Sequence, residues 1–108
     1  MREQAAALLE KYGEAVAVVR GTVVGPVDVR RLFRGTLACA RFVVRAAGGE
    51  VPVFVAKQEL ILEAAKLAPG DRVIVVGAVK MWRWQPTATL VEQGYGLEAA
   101  EVWRDARA

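Results

Sequence analysis

Between Arg2 and Tyr12 the apolar residues fall at Ala5, Leu8, Leu9 and Tyr12, the i, i+3, i+4, i+7 spacing of an amphipathic helix, and Gly13 is a natural stop. A short helix therefore opens the chain. From Ala15 to Pro26 the pattern changes. AVAVVRGTVVGP is rich in β-branched residues and predicts a long strand, with Gly21 placed where a strand bulges or bends. A basic loop, VDVRRLFRG, follows. The next run, TLACARFVVRA, alternates, with Ala38, Ala40, Phe42 and Val44 on one face and Cys39, Arg41, Val43 and Arg45 on the other. Core inside and charge outside is the simplest reading of that strand. Ala47-Gly48-Gly49-Glu50 makes a tight turn into VPVFVAK, where Pro52 near the strand's start argues for an edge or barrel rim.

The periodicity then switches. Gln58 to Ala68 places Ile61, Ala64, Ala65 and Ala68 on one side, with Glu59, Glu63 and Lys66 elsewhere. This predicts a helix of about three turns ended by Pro69-Gly70. DRVIVVGAVKMWRW follows as a long strand, apolar on both faces in its first half, so both faces are covered there. Pro86 to Gly96 reads as a polar, glycine-containing connection or a hairpin, and Leu97 to Trp103 as a fifth strand. Three strands, one helix and two further strands is the order of the OB-fold, a five-stranded barrel with a helix between the third and fourth strands. An open α+β sheet has the same element order but leaves two edges to protect. The domain layout expected is an N-terminal helix over 1–14, the barrel over 15–104 and a short tail over 105–108.

One stretch stands out chemically. In a chain with 7% aromatics, VKMWRWQP sets two of the three tryptophans one residue apart, with Lys80 before them and Arg83 between them. On a strand Lys80, Trp82 and Trp84 line one face, and Met81 and Arg83 the other. Such a row serves equally as a stacking platform for bases, as barrel core or as a subunit contact.

Composition narrows the chemistry. The chain has no histidine, no serine and one cysteine, Cys39, so acyl-transfer triads, Cys-His pairs, an internal disulfide and a structural zinc site cannot be built from it. GxxxxGK[ST] and GxGxxG are absent as well. Asp28, Glu50 and Asp71 each lie in or beside a turn signal, where solvated charge is the ordinary role, so a non-catalytic protein without cofactor is expected. Charge interrupts every apolar run within a few residues, and no run approaches membrane-spanning length. A cytoplasmic location without membrane contact is the expectation. The net charge of +3 hides an uneven distribution, with eleven basic residues against five acids between Arg20 and Trp84 and acidic flanks on either side. A basic middle suits a polyanionic partner, though an arginine-rich surface is also ordinary.

The motifs then meet a known pattern. RGTVVGPVDVRRLFRG, with Gly21, Val23, Arg30 and Gly35, resembles the first strand and following loop of bacterial single-stranded DNA-binding proteins. APGDRVIVVGAVKMWRW is similar to their Gly-Asp-x-Val entry to the fourth strand, with mid-strand Gly77, aliphatic Val79 and a basic run ending in tryptophan. By this resemblance Trp84 falls on the family's base-stacking tryptophan. CARFVV and VPVFVA look like the second and third strands of primosomal replication protein N, of the same superfamily. The departures are a third strand, GEVPVFVAK, with Glu50 and Val51 where a ring is expected, no acidic tail pattern in Trp103 to Ala108, and a helix before the first strand. The resemblance thus bears on the fold more than on tight DNA binding.

Residue reading and resemblance together imply single-stranded DNA, with RNA the alternative, as the partner. Bases would stack on Trp84 and Trp82, and phosphates would follow Lys80, Arg83, Arg41, Arg45, Arg34 and Arg31, in replication, recombination or repair. The competing function is a protein-interaction module of a replication or primosome-like assembly. Each residue also has a plainer role. The tryptophans fill a core or a subunit contact, the arginines solvate the surface, Phe42 and Phe54 are core or partly core, Cys39 is a small strand residue without redox function, and Trp103 packs the last strand or a subunit contact. A homodimer or homotetramer is expected by the resemblance, pairing through the first strand. Leu8, Leu9 and Tyr12 of the added helix then either cap the barrel or extend that contact.

Overall fold

Arg2–Tyr12 form α1, Val16–Arg31 β1, Leu37–Ala46 β2, Gly49–Val55 β3, Gln58–Ala64 α2, Arg72–Trp84 β4 and Glu92–Arg104 β5. The computed structural model describes residues 2–12, 15–31, 37–85 and 87–105, and at positions 2, 8, 9, 12, 31, 37, 38, 82 and 84 the backbone alone. The strands close in the order β1-β2-β3-β5-β4, antiparallel except for β3 with β5. This is the five-stranded OB barrel, and its closure rules out the open sheet. The β3–β5 seam spans only Val53↔Leu97 and Phe54↔Glu98, which leaves Pro52 at the rim, where a missing N–H is tolerated.

The core follows from alternation. Phe42 and Val44 of β2, Val53 and Val55 of β3, Val73 and Val75 of β4, and Leu97 and Ala99 of β5 are buried inside the barrel with Val23 of β1. Ile61, Ala64 and Leu67 close one end. Val76 is buried on the other face of β4, as expected for a strand covered on both sides. α1 leans on β1 and is tied to β5 by the Lys11–Glu101 ion pair at 3.7 Å, while the side chains of Leu8, Leu9 and Tyr12 lie outside the described ones.

Three boundaries differ from the sequence reading. β1 does not end at Pro26 but continues to Arg31, because the chain bulges and then pairs again. Its register with β2 passes from Val24↔Val43 to Asp28↔Arg41, and Gly25, at φ 73°, takes the left-handed conformation a side chain would resist. Gly21 is not the bulge. It lies where β1 passes from β4 to β2, so close that a Cβ there would overlap the Arg45 carbonyl oxygen. α2 is two turns rather than three. After Ala64 the bonds tighten to i→i+3, Lys66 N–H to the Glu63 carbonyl and Leu67 N–H to the Ala64 carbonyl, a 3₁₀ spacing that repeats every third residue. Leu67 thereby joins Ile61 and Ala64 in the core, while Ala65 and Ala68, expected inside, are exposed. β5 begins at Glu92, five residues before the expected start at Leu97, because β4 pairs with it as far as Trp84↔Glu92.

Candidate functional site

β4 pairs with β1 only as far as Val16↔Ala78 but with β5 through Trp84↔Glu92. Beyond residue 79 these two strands therefore pair only with each other, as a two-stranded arm leaving the barrel. The register sets Lys80 opposite Gly96, Trp82 opposite Gly94 and Trp84 opposite Glu92, and residues paired across a ladder share a face. Gly94 and Gly96 leave the β5 side of that face without side chains between Glu92 and Glu98. Val79, Met81, Arg83 and Tyr95 belong to the opposite face, and Met81 and Tyr95 are exposed there by 67% and 69%.

The outward face of the barrel meets the arm. With Ala40, Phe42 and Val44 inside, β2 turns Cys39, Arg41, Val43 and Arg45 outward, and β3 turns Glu50, Pro52 and Phe54 outward. Phe54, expected to be core or partly core, turns outward and was not singled out as a contact residue. It is half-buried but does not join the core, since it lies between buried Val53 and Val55. That alternation was the available signal. Its cross-strand partners are Arg41 on β2 and Glu98 on β5. Beside its ring runs a groove of about 190 Å³ lined by Cys39, Phe54, Ala56, Lys80, Met81, Leu97 and Glu98, among others. It is smaller than the roughly 300–1,000 Å³ of an enclosed small-molecule site, and open and apolar enough to receive one flat ring against Phe54.

An ion pair links the arm to this face. Arg41 donates from Nη2 to Glu92 Oε2 at 3.4 Å, bringing the cross-strand partner of Trp84 to β2. Lys80 pairs with Glu98, Arg45 with Glu50 at 2.9 Å and Arg30 with Asp28 at 3.7 Å. Each of these four cations thus has a carboxylate partner, so the face carries a mixed charge rather than a purely basic one.

Of the expected contact residues, Arg41, Arg45 and Lys80 share this face with Phe54. Arg83 is exposed and belongs to the opposite face of the arm. Arg31 ends β1 opposite Leu37, Arg34 lies outside the described residues, and Trp82 and Trp84 are positioned by their backbone register alone. Trp103 is 43% exposed opposite Ile74 near the base of the barrel, away from the arm. Among the described residues no group of three or more His, Cys, Asp or Glu side chains is placed to hold a metal ion, and no helix is long and apolar enough to cross a membrane.

Cys39 reports on the groove. Burial pushes its thiol above the ordinary range, opposed by nearby Arg30 and reinforced by Asp28. The thiolate is the reactive form. Alkylation of Cys39 by iodoacetamide at neutral pH is therefore expected to run slower than in the urea-unfolded chain, and to catch up only as pH rises through the raised value. Equal rates in the two states would contradict the burial.

No family model and no curated protein matches the sequence. Solved structures do. The chain is similar to the single-stranded DNA-binding protein of Thermus aquaticus, with a TM-score of 0.71 at 20% identity, over 88% of this chain and 42% of that one. It is also similar to a small single-stranded DNA-binding protein of Streptomyces coelicolor, at 0.67 and 21%, over 86% of this chain and 94% of that one. A third is the Plasmodium falciparum SSB solved in complex with single-stranded DNA, at 0.64 and 16%, over 84% of this chain and 94% of that one. The chain thus spans less than half the length of the Thermus aquaticus protein but nearly all of the two others. At these identities the likeness shows the fold, an OB barrel of the architecture found in bacterial single-stranded DNA-binding proteins.

Proposed function

We propose that the protein binds single-stranded DNA without catalysis, on the outward face of β2 and β3 and the arm of β4 and β5. Bases stack on Phe54, Trp84 and Trp82, and phosphates run past Arg41, Arg45 and Lys80, with Arg31, Arg34 and Arg83 as further contacts at the margins. The observation that carries this reading is the outward ring of Phe54, placed between Arg41 and Glu98 beside an open apolar groove. Aromatic rings interleaved with cations on an open face suit a flexible strand of unpaired bases, since stacking tolerates any base. The fold likeness to a chain solved with single-stranded DNA points the same way. Stacking does not read the 2′-hydroxyl, so single-stranded RNA is expected to compete. A role in replication, recombination or repair follows from that ligand. The exposed Val79 and Tyr95 on the other face of the arm suit contact with a second copy in a homodimer or homotetramer.

Tryptophan fluorescence during titration with oligothymidine, at low and high salt, tests the reading. The native protein is expected to be quenched, less so at high salt as counterion release is suppressed, and Trp84→Ala is expected to lose the share of the quenching that Trp84 carries while Trp82 keeps its own. Bound oligothymidine is also expected to slow the alkylation of Cys39. A flat titration at low salt would overturn the proposal and favour a protein-interaction module that uses the arm as its contact.

A further inference from the structure

The ion pairs on the proposed binding face have a consequence for affinity. Arg41 pairs with Glu92, Lys80 with Glu98 and Arg45 with Glu50, so a phosphate approaching any of these cations meets its carboxylate as well. We propose that Glu50, Glu92 and Glu98 act as built-in competitors for phosphate, holding down the binding of polyanions that bring charge alone. The inference rests on the face being the nucleic acid site, and it assigns these three glutamates as determinants of what that site accepts.

The physical basis is local. Exposed ion pairs stabilise a fold little, so phosphate displaces a carboxylate readily. The displaced carboxylate remains tethered within a few ångströms, where it repels the phosphate that replaced it. It also gathers a cation from solution, which lowers the net release of counterions on binding. A ligand held only by its phosphates therefore gains little from this face. A single strand adds the stacking of its bases on Phe54 and the arm, which the carboxylates leave intact. A duplex keeps its bases stacked inside itself, and heparin has none. The competition acts at all three places along the strand path. Glu92 reaches Arg41 from the tip of the arm, fifty-one positions away in sequence; Glu98 flanks Phe54 on β5; and Glu50 faces Arg45 across the hairpin of β2 and β3.

The test compares the native protein with the triple variant Glu50→Gln, Glu92→Gln, Glu98→Gln. A control triple, Glu3→Gln, Glu10→Gln, Glu59→Gln, makes the same change of formal charge on exposed positions of α1 and α2. Binding of heparin, of a blunt duplex and of oligothymidine is measured across a salt series, with thermal melts to verify folding. The face triple is expected to bind heparin and duplex on the order of tenfold more tightly than the control. Its salt dependence on oligothymidine is expected to be steeper, by up to about 0.7 in the log–log slope per restored phosphate contact. Should the triple fail to fold, Glu98→Gln alone is expected to show a smaller gain in the same direction. Equal behaviour of the face and control variants towards heparin and duplex would overturn the inference, whatever the native protein does with oligothymidine. A native protein that ignores oligothymidine, with a face triple that gains heparin binding, would instead overturn the single-strand reading and support the competition.

Discussion

Replacing Phe54 and Trp84 together with alanine is expected to weaken oligothymidine binding by about 30-fold or more. Each stacked base contributes roughly 1–3 kcal/mol, and about 1.4 kcal/mol is a factor of ten in affinity, so two lost platforms at the low end of that range already give this loss. The single variants are expected to fall short of half of it in free energy if the strand shifts to the remaining ring, because groups sharing one ligand path are seldom additive. The barrel should survive the change. Phe54 lies outside the row of Val53 and Val55 that fills the interior, and Trp84 ends β4 on an arm beyond the pairing with β1. Phe54→Tyr and Trp84→Phe keep a ring at each place and are expected to retain most of the affinity. A double alanine variant that melts normally and binds within threefold of the native protein would mean that charge, not stacking, anchors the strand.

How much of this was legible beforehand depends on whether a feature is local. α1 was read to its end residues, because helical spacing and a stopping glycine are both written in sequence. The inward row of β2 was legible too, since alternation with a period of two leaves no second assignment for Phe42 and Val44. The same alternation in VPVFVAK already turns Phe54 away from the row of Val53 and Val55, a signal that its reading as core or partly core left unused. Other features are set by partners far along the chain. The bulge at Gly25 is defined by where β2 resumes pairing, and the short α2 by a tightened turn that brings Leu67 under the barrel. The start of β5 carries Gln93, Gly94 and Gly96, which have no apolar pattern of their own, and becomes a strand because β4 continues opposite it. The pairing of Arg41 with Glu92 was out of reach for the same reason. Counting charges along the sequence suggested an open basic face, and closing the barrel with its arm brought acids from the flank onto it.

Phe42→Ala is expected to cost about 3–5 kcal/mol of stability, the usual range for removing a buried ring and leaving a cavity. Phe42 is 1% exposed, among the largest side chains wholly enclosed by the barrel. For a domain of this size each kcal/mol shifts the melting temperature by about 4–8 °C, so the midpoint should fall by at least roughly 12 °C. Its neighbour gives the contrast. Arg41 points outward on the same strand, and Arg41→Ala is expected to move the midpoint by only a few degrees while weakening oligothymidine binding. Measured well below its own midpoint, the folded Phe42→Ala protein should bind with nearly native affinity, because the ring fills the barrel beneath the site and never reaches the strand. The two variants thus separate the faces of β2. If Phe42→Ala lost affinity in step with stability at temperatures where it is folded, the interior would be setting the spacing of Arg41 and Phe54 directly, and the barrel would be part of the recognition surface rather than its rigid support.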